Sequence, residues 1–247
     1  MKHVINIYKQ IGQTPLQAVE EFRKQNPEYQ KSKLGYAGRL DPMADGVLII
    51  LVGEENKRRK QYEALPKTYE FAVLFGLETD TYDVLGKLQT TNLPATPTDL
   101  ETTIKDLLPT FIGKHTQKYP PYSSKPVNGK PLYYWARENK LSNIVIPTKE
   151  IEIYSLTYLN KNQIDAKTLQ KTIHERIAIV TGNFRQKEIL AIWDEFLKKN
   201  PNQVFTTVKL RIQCSSGTYV RSFAYTLGKK LGTGAIAFVI TRIAIGE

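Results

Sequence analysis

A single aspartate lies in a segment whose neighbours restrict its backbone. Asp41 precedes Pro42, and a proline disfavours the helical conformation of the residue before it. Gly35, Gly38 and Gly46 flank this pair and allow a tight backbone path. Such a loop can hold one carboxylate rigidly at the mouth of a sheet, where it could attack a reactive atom or abstract a proton. An Asp-Pro turn without a chemical role is also common, so these residues alone leave both interpretations open.

Residues 114–130 form a basic, proline-rich segment. They contain four lysines and no acidic residue, together with Tyr119 and Tyr122. Lysines bind phosphates and tyrosine rings stack on unpaired bases, so this extended loop is predicted to bind RNA. A solvated loop is the alternative interpretation. A short helix is predicted at 133–137, and the RNA-binding loop as a whole is expected to span about 114–149.

The whole chain is basic, with 35 lysines and arginines against 24 acidic residues and a net charge of +11. A surplus of this size favours polyanionic partners, because neutralised phosphates release counterions. Charge alone is equally compatible with a basic protein that has no nucleic-acid role.

Residues that commonly bind metals are few and scattered. Cys214 is the only cysteine, which excludes an internal disulfide framework and a multi-cysteine zinc site. His3, His115 and His174 are too far apart in the sequence to suggest a metal cluster. We therefore expect no metal site.

Apolar runs in the sequence are short. The longest is residues 47–52, which has the length of a buried strand and is far below the ~20 residues of a membrane helix. The first residues lack the apolar stretch and cleavage site of a secretory signal. We expect a monomer in the cytoplasm with no membrane contact.

The elements that must position Asp41 follow from the apolar patterns. Strands are predicted at about 4–7, 47–52, 67–76, 150–159, 204–214 and 235–245. Helices are predicted after Thr14, in two parts of 165–199 separated near Gly182, and from the turn at 215–218 to Leu227. Because strands and helices interleave without a βαβ rhythm, we predict a single α+β domain with a mixed or antiparallel central sheet.

Several segments of this chain together resemble one enzyme family. The residues around Asp41, Gly35-x-x-Gly38-x-Leu40-Asp41-Pro42-x-Ala44-x-Gly46, resemble the active-site signature of the TruB-type tRNA pseudouridine synthases. The other matching segments follow in the family's order: Lys9-x-x-Gly12-x-Thr14, Lys67-x-Tyr69, 121–125 with 129–137, 214–221, and 231–235 with 240–242. The resemblance covers nearly the whole chain apart from about 160–202.

This resemblance implies a pseudouridine-synthase fold with flanking helices, a catalytic cleft and no cofactor. It implies isomerisation of uridine to pseudouridine in the T-loop of tRNA, at position 55. That reaction breaks the N-glycosidic bond, rotates the uracil and rejoins it through C5, so the target base must be flipped into a pocket. The resemblance implies that Asp41 is the catalytic carboxylate, that Tyr69 stacks on the flipped uracil, and that Arg221 forms an ion pair with Asp41.

The same resemblance implies a set of substrate-binding residues. Two of them, Tyr219 and Ile240, would line the uracil pocket, and the others would contact the T-arm of the tRNA. The complete set is Tyr36, Tyr219, Ile240, Lys9, Tyr122, Lys125, Lys130 and Arg137.

The sequence departs from the family pattern in three places. Tyr36 stands where the family usually has histidine, and Arg39 and Asp45 add charge beside Asp41. Family members usually continue into a small RNA-binding domain of the PUA type, which this sequence is expected to lack. Residues from about 160 to 202 are expected to form a lysine-rich helical insertion that supplies other RNA contacts.

Three alternatives compete with this interpretation. The chain could be an RNA-folding chaperone that uses the same cleft without the chemistry, although binding alone would not require Asp41, Tyr69 and Arg221 together. It could be a pseudouridine synthase with a different RNA target. A generic basic nucleic-acid binder is disfavoured by the ordered motifs.

Overall fold

The computed structural model describes residues 2–90, 97 and 99–246. The described residues form twelve strands. In chain order these are β1 (Val4–Lys9), β2 (Leu34–Ala37), β3 (Ala44–Val52), β4 (Lys67–Phe75), β5 (Glu78–Thr79), β6 (Leu88–Thr90), β7 (Gly113–Lys118), β8 (Pro126–Val127), β9 (Lys130–Pro131), β10 (Thr148–Asp165), β11 (Val204–Cys214) and β12 (Ala235–Ile245).

The described residues also form seven α-helices. These are α1 (Pro15–Gln25), α2 (Arg59–Ala64), α3 (Leu100–Leu107), α4 (Leu132–Arg137), α5 (Ala166–Ala178), α6 (Gln186–Lys199) and α7 (Val220–Leu231). None of the helices in the described part of the chain combines the length and the apolar character needed to cross a membrane.

One large mixed sheet organises the molecule. Its strands lie in the order β1-β3-β12-β4-β11-β10-β7, and β2 pairs with the second half of β3. Within this sheet β3 and β12 run parallel, and the other neighbouring strands described are antiparallel. The predicted α+β class with a mixed central sheet and flanking helices is therefore confirmed.

Apolar residues cover both faces of this sheet. Successive side chains of a strand point to opposite faces, so neighbouring residues of one strand belong to different clusters. On β4, Phe71 belongs to a cluster with residues of α3 and α7, and its ring meets that of Phe223 edge to face at 5.7 Å. Leu74 belongs to a second cluster that is filled by α5 and α6. The predicted pair of helices separated near Gly182 is thus an integral part of the core.

The fold corrects the limits of two predicted segments. The helical insertion expected from about 160 begins at Ala166, because residues 160–165 continue β10 and pair with β11 down to Asp165 opposite Val204. Residues 160–163 are polar, so their sequence lacks the alternation that would have predicted a strand. The RNA-binding loop expected from 114 begins after Lys118, because β7 pairs with β10 as an edge strand.

Replacing Trp193 with alanine should reduce the free energy of unfolding by ~3–5 kcal/mol, because a buried aromatic residue leaves a large cavity. Trp193 lies on α6, is fully buried, and its indole N–H donates a hydrogen bond to the Gly86 carbonyl at 3.2 Å. Urea unfolding measures the effect. Lys199→Ala, an exposed change on the same helix, should alter the unfolding free energy by less than ~0.5 kcal/mol. Equal stability of the two variants would contradict the placement of α6 in the core.

Candidate active site

The loop that carries Asp41 is held by an arginine from β12. Arg242 is 1% exposed, and its guanidinium donates hydrogen bonds to three backbone carbonyls. These are Gly38 at 3.4 Å, Arg39 at 3.3 Å and Val47 at 2.7 Å, which lie on both sides of Asp41 in the sequence. The path of the loop is therefore fixed from the next strand of the sheet.

Gly46 allows β3 to approach β12 closely enough for this arrangement. Its φ is +112°, and a Cβ atom there would lie 2.2 Å from the Arg242 carbonyl oxygen. A larger residue would push the two strands apart. At the other end of the turn, the Ala44 amide donates to the Asp41 carbonyl at 3.0 Å. The backbone of Asp41 is thus held in a fixed position just before β3.

Arg221 binds the Asp41 carboxylate. Arg221 lies in the first turn of α7 and is 3% exposed, and its Nε atom is 2.7 Å from Asp41 Oδ2. The side chain of Asp41 is 39% exposed, so the carboxylate faces the cleft while its partner lies behind it. Among the described residues, no side chain donates to Asp41 Oδ1, which leaves that oxygen available for chemistry.

A second carboxylate stands behind Arg221. The Asp83 Oδ2 atom is 3.5 Å from Arg221 Nε, and Arg221 Nη1 donates to the Thr81 carbonyl at 2.6 Å. Asp83 Oδ1 accepts hydrogen bonds from the Leu85 amide at 2.9 Å and the Thr81 hydroxyl at 2.7 Å. Sequence reasoning missed Asp83 and Thr81, although the polar run 78–83 directly after the buried strand β4 is a signal that could have indicated them.

The charges of this group support one another. Burial alone would lower the pKa of Arg221, but the carboxylates of Asp41 and Asp83 outweigh burial and raise it, so Arg221 is always charged. Burial raises the pKa of Asp83, while Arg221 and the Thr81 hydroxyl act in the opposite direction. Arg221 is therefore a fixed buried cation that forms ion pairs with both carboxylates.

The predicted catalytic and pocket residues surround one cavity of about 290 Å³, which we call the first cavity. Tyr69 is nearly buried on β4, and its hydroxyl accepts a hydrogen bond from Arg242. Ile240 is nearly buried on β12, and Tyr219 precedes α7. The predicted residues that line the first cavity are Asp41, Tyr69, Tyr219, Arg221 and Ile240.

Asp41 and Arg221 also border a second cavity of about 370 Å³. Two predicted substrate-binding residues, Tyr122 and Arg137, line this second cavity rather than the first. It lies between residues 119–137, which are predicted to bind RNA, and the turn that joins α5 to α6, which contributes residues 183–185. The cleft therefore has two compartments that meet at Asp41 and Arg221.

Lys9, which is predicted to bind substrate, lines neither cavity. Lys9 is 0% exposed, and its ammonium group donates to the carbonyls of Gln10 at 2.9 Å and Gln13 at 2.7 Å. Burial lowers its pKa to about 8. The matching sequence motif thus marks a lysine that shapes the first turn after β1. Lys67 is similar, since it donates to the carbonyls of Glu63 and Leu65, but it also borders the first cavity.

Three other predicted contact residues lie outside both cavities. The ring of Tyr36 packs beneath the guanidinium of Arg59 at 5.1 Å. Lys125 and Lys130 are exposed, and their ammonium groups lie 5.4 Å and 4.0 Å from the rings of Tyr119 and Tyr134, respectively. These cation–aromatic pairs present charge beside flat apolar surface, so Tyr36, Lys125 and Lys130 remain candidates for RNA contact.

The described residues contain no group of three or more histidine, cysteine, aspartate or glutamate side chains that could hold a metal ion. The guanidinium of Arg221 lies between the carboxylates of Asp41 and Asp83 and forms an ion pair with each.

The family described as "TruB family pseudouridylate synthase (N terminal domain)" matches residues 26–175, which include Asp41, Tyr69 and Asp83. The chain belongs to the TruB family. A TruB relative, the tRNA pseudouridine synthase B of Aquifex aeolicus, is 33% identical over 247 residues, which are 100% of this chain and 69% of that protein.

Two further TruB relatives are also named tRNA pseudouridine synthase B. The proteins of Clostridium acetobutylicum and Thermotoga maritima are each 31% identical over 247 residues, all of this chain, and 68% and 64% of their respective lengths are covered. The chain thus spans about two thirds of the length of these relatives. Their matches extend over the whole chain and so include Arg221 and Ile240.

Solved structures confirm the fold of this TruB-family chain. One chain of the structure titled "Crystal Structure of a Cbf5-Nop10-Gar1 Complex" superposes with a TM-score of 0.58 at 18% identity, and the match covers 98% of this chain and 48% of that one. At that level of identity the likeness concerns the fold alone. It confirms the predicted pseudouridine-synthase fold.

Proposed function

We propose that this chain isomerises uridine to pseudouridine in the T-loop of tRNA, at position 55, with Asp41 as the catalytic carboxylate. The observation that carries the proposal is the pair of Asp41 and Arg221 at the wall of the first cavity, with Tyr69 and Ile240 beside it. Membership of the TruB family and relatives named tRNA pseudouridine synthase B support both the reaction and the class of RNA.

The geometry suits each step of the isomerisation. A flipped uracil enters the first cavity, where the aromatic ring of Tyr69 supplies a stacking surface. The bond between C1′ and N1 breaks, the uracil rotates, and a bond forms between C1′ and C5. The proton on C5 leaves to a base and N1 gains one, so the product is an isomer of the substrate. Asp41 Oδ1 is available to act on the nucleoside while Arg221 holds Oδ2.

The RNA body would lie across the exposed lysines and aromatic rings outside the cavities. Tyr36, Lys125 and Lys130 are the candidates that the structure leaves accessible at such pairs. The positive charges of Lys125, Lys130 and Arg59, which lies over Tyr36, would contribute to affinity through counterion release and not to the choice of base. A monomeric state and a cytoplasmic location stay predictions.

Incubating the protein with an unmodified tRNA transcript should produce pseudouridine at position 55 and at no other uridine. Chemical sequencing that maps pseudouridine measures the product, and Asp41→Ala provides the blank. Product at another position would retain the reaction and refute the T-loop target. Equal product from wild type and Asp41→Ala would refute the catalytic assignment. Tight binding without product from either protein would favour an RNA chaperone.

A further inference from the structure

Arg185 connects the helical pair, α5 and α6, to residues 119–137, which we call the RNA-binding segment. It immediately precedes α6, and its side chain forms a two-atom ion pair with Asp80, at 2.6 Å and 3.3 Å. Its Nη1 atom also donates to the Tyr122 hydroxyl at 2.6 Å, and the guanidinium lies 4.2 Å from the centre of the Tyr122 ring. Both charged side chains are about 15% exposed, so they are largely removed from solvent.

The three polar groups form a closed set of hydrogen bonds. Besides accepting from Arg185, the Tyr122 hydroxyl donates to the Asp80 carboxylate. Charge-assisted and two-atom contacts of this kind restrict geometry more than a single neutral hydrogen bond does. Tyr122 is thereby held from two sides, by the turn after β5 and by the start of α6.

A second contact joins the same two regions. Arg137, at the end of α4, donates to the Asn183 carbonyl at 2.6 Å. Tyr122 and Arg137 are the two predicted RNA contacts that line the second cavity, and in this structure each bonds to the turn at 183–185. The turn between α5 and α6 therefore contacts the RNA-binding segment, although the bonded residues are 46 and 63 positions apart in the sequence. None of the family motifs covers this turn.

The turn that carries Arg185 is itself rigid. Arg185 has a backbone φ of +66°, a value that residues other than glycine rarely adopt. Such backbone strain persists only where the surrounding structure enforces it. The Gln186 side chain donates to the carbonyls of Val180 at 3.0 Å and Gly182 at 2.7 Å and accepts from the Phe184 amide at 2.9 Å. The turn is thus a fixed support for the contacts that it makes.

We propose that Arg185 is a positioning residue, which holds residues 119–137 in place beside the second cavity before RNA binds. The proposal rests on the proposed function, because it concerns the binding of the same RNA. The contacts engage the hydroxyl of Tyr122 and the guanidinium of Arg137 and still leave about 370 Å³ open next to Asp41. They therefore preform the cavity rather than fill it.

Loss of this support should lower the affinity for RNA and leave the chemistry intact. A protein whose binding-competent conformation is only partly populated binds more weakly in proportion to that fraction. Arg185→Ala should raise KM for an unmodified tRNA transcript by about tenfold, with kcat within about twofold of wild type. Arg185→Lys keeps the charge but not the two-atom geometry and should recover part of the loss.

Lys187→Ala is the matched control, since Lys187 is exposed in the first turn of the same helix. It removes one positive charge and none of the contacts to Tyr122 or Asp80. An equal rise of KM in Lys187→Ala and Arg185→Ala would show that only charge matters and would overturn the proposal. A fall of KM in Arg185→Ala would also overturn it, because the contacts would then hinder RNA.

Hydrogen–deuterium exchange in the absence of RNA tests the same idea independently of any activity. The amides of Leu132 and Tyr133 bond to the carbonyls of Lys125 at 2.8 Å and Ser123 at 3.1 Å, so they report on the order of the segment. Arg185→Ala should accelerate their exchange about tenfold, while Lys187→Ala should match wild type. Unchanged exchange in Arg185→Ala would refute the positioning role. If wild type makes no pseudouridine, the proposed function fails, and this exchange result still decides whether Arg185 orders the segment.

Discussion

Replacing Asp41 with asparagine should lower kcat for pseudouridine formation by at least about a thousandfold, because an amide can neither attack as an anion nor accept a proton efficiently. The change keeps the shape of the side chain, and the amide oxygen can still accept from Arg221. Since the carboxylate is 39% exposed and lies on the cavity wall, the fold should be unaffected. Single-turnover assays with an unmodified tRNA transcript measure the effect, and the Kd for that RNA should change by less than about threefold.

Asp45→Asn is the matched control for this variant. Asp45 lies four residues after Asp41 on β3 and accepts a hydrogen bond from the Tyr8 hydroxyl at 3.0 Å. It borders neither cavity. Its replacement should leave kcat within about threefold of wild type, as expected for a group outside the reacting site. Comparable losses in the two variants would mean that local charge, and not the Asp41 carboxylate itself, supports the reaction.

Replacing Arg221 with methionine should reduce the free energy of unfolding at neutral pH by ~3–5 kcal/mol and abolish activity, because a buried carboxylate loses its counter-charge. Asp83 is buried, at 5% exposure, and burial already raises its pKa, so without Arg221 that pKa rises further. A carboxyl group with a raised pKa in the folded state stabilises the fold at low pH and loses that contribution as the pH rises. The variant should therefore be closer to wild type at pH 5 than at pH 8 in urea unfolding.

A double variant separates the stability of this site from its catalysis. In Arg221→Met/Asp83→Leu both charges are absent, and an apolar pair of similar volume should restore the unfolding free energy to within ~1.5 kcal/mol of wild type. Activity should stay lost, since Asp41 has no cation behind it. Recovery of activity in the stable double variant would exclude a role for Arg221 beyond folding.

The sequence predicted the residues that meet at the first cavity better than it predicted their surroundings. Asp41, Tyr69 and Arg221 lie in short local motifs, and the structure brings them together. Asp83 was missed because it acts through Arg221, from a loop that becomes adjacent only when β4 and α7 pack together. The motif that assigned Lys9 to the substrate shows which residue is present and not how deeply it is buried.

The contacts of Tyr122 and Arg137 could not be foreseen for a related reason. Their partners, Arg185 and Asn183, are 63 and 46 residues away in the sequence, in the region that the family motifs do not cover. Loop geometry at such separations depends on how helices pack, and single-sequence patterns carry no information on that packing. The predicted end of β10 at about residue 159 was wrong for a simpler reason. Residues 160–163 are all polar, so they lack the alternation that predicts a strand.

The parallel pairing of β3 with β12 has a consequence for the synthesis of this protein. Asp41 is synthesised before Arg242, but the loop that carries Asp41 is held by hydrogen bonds from Arg242, about two hundred residues later in the sequence. Contacts this distant in sequence form late, because the intervening chain must first close a long loop at an entropic cost. A nascent chain that lacks β12 therefore contains Asp41 but cannot hold its side chain in the orientation seen in the complete sheet. In this architecture, competence to react follows completion of the sheet.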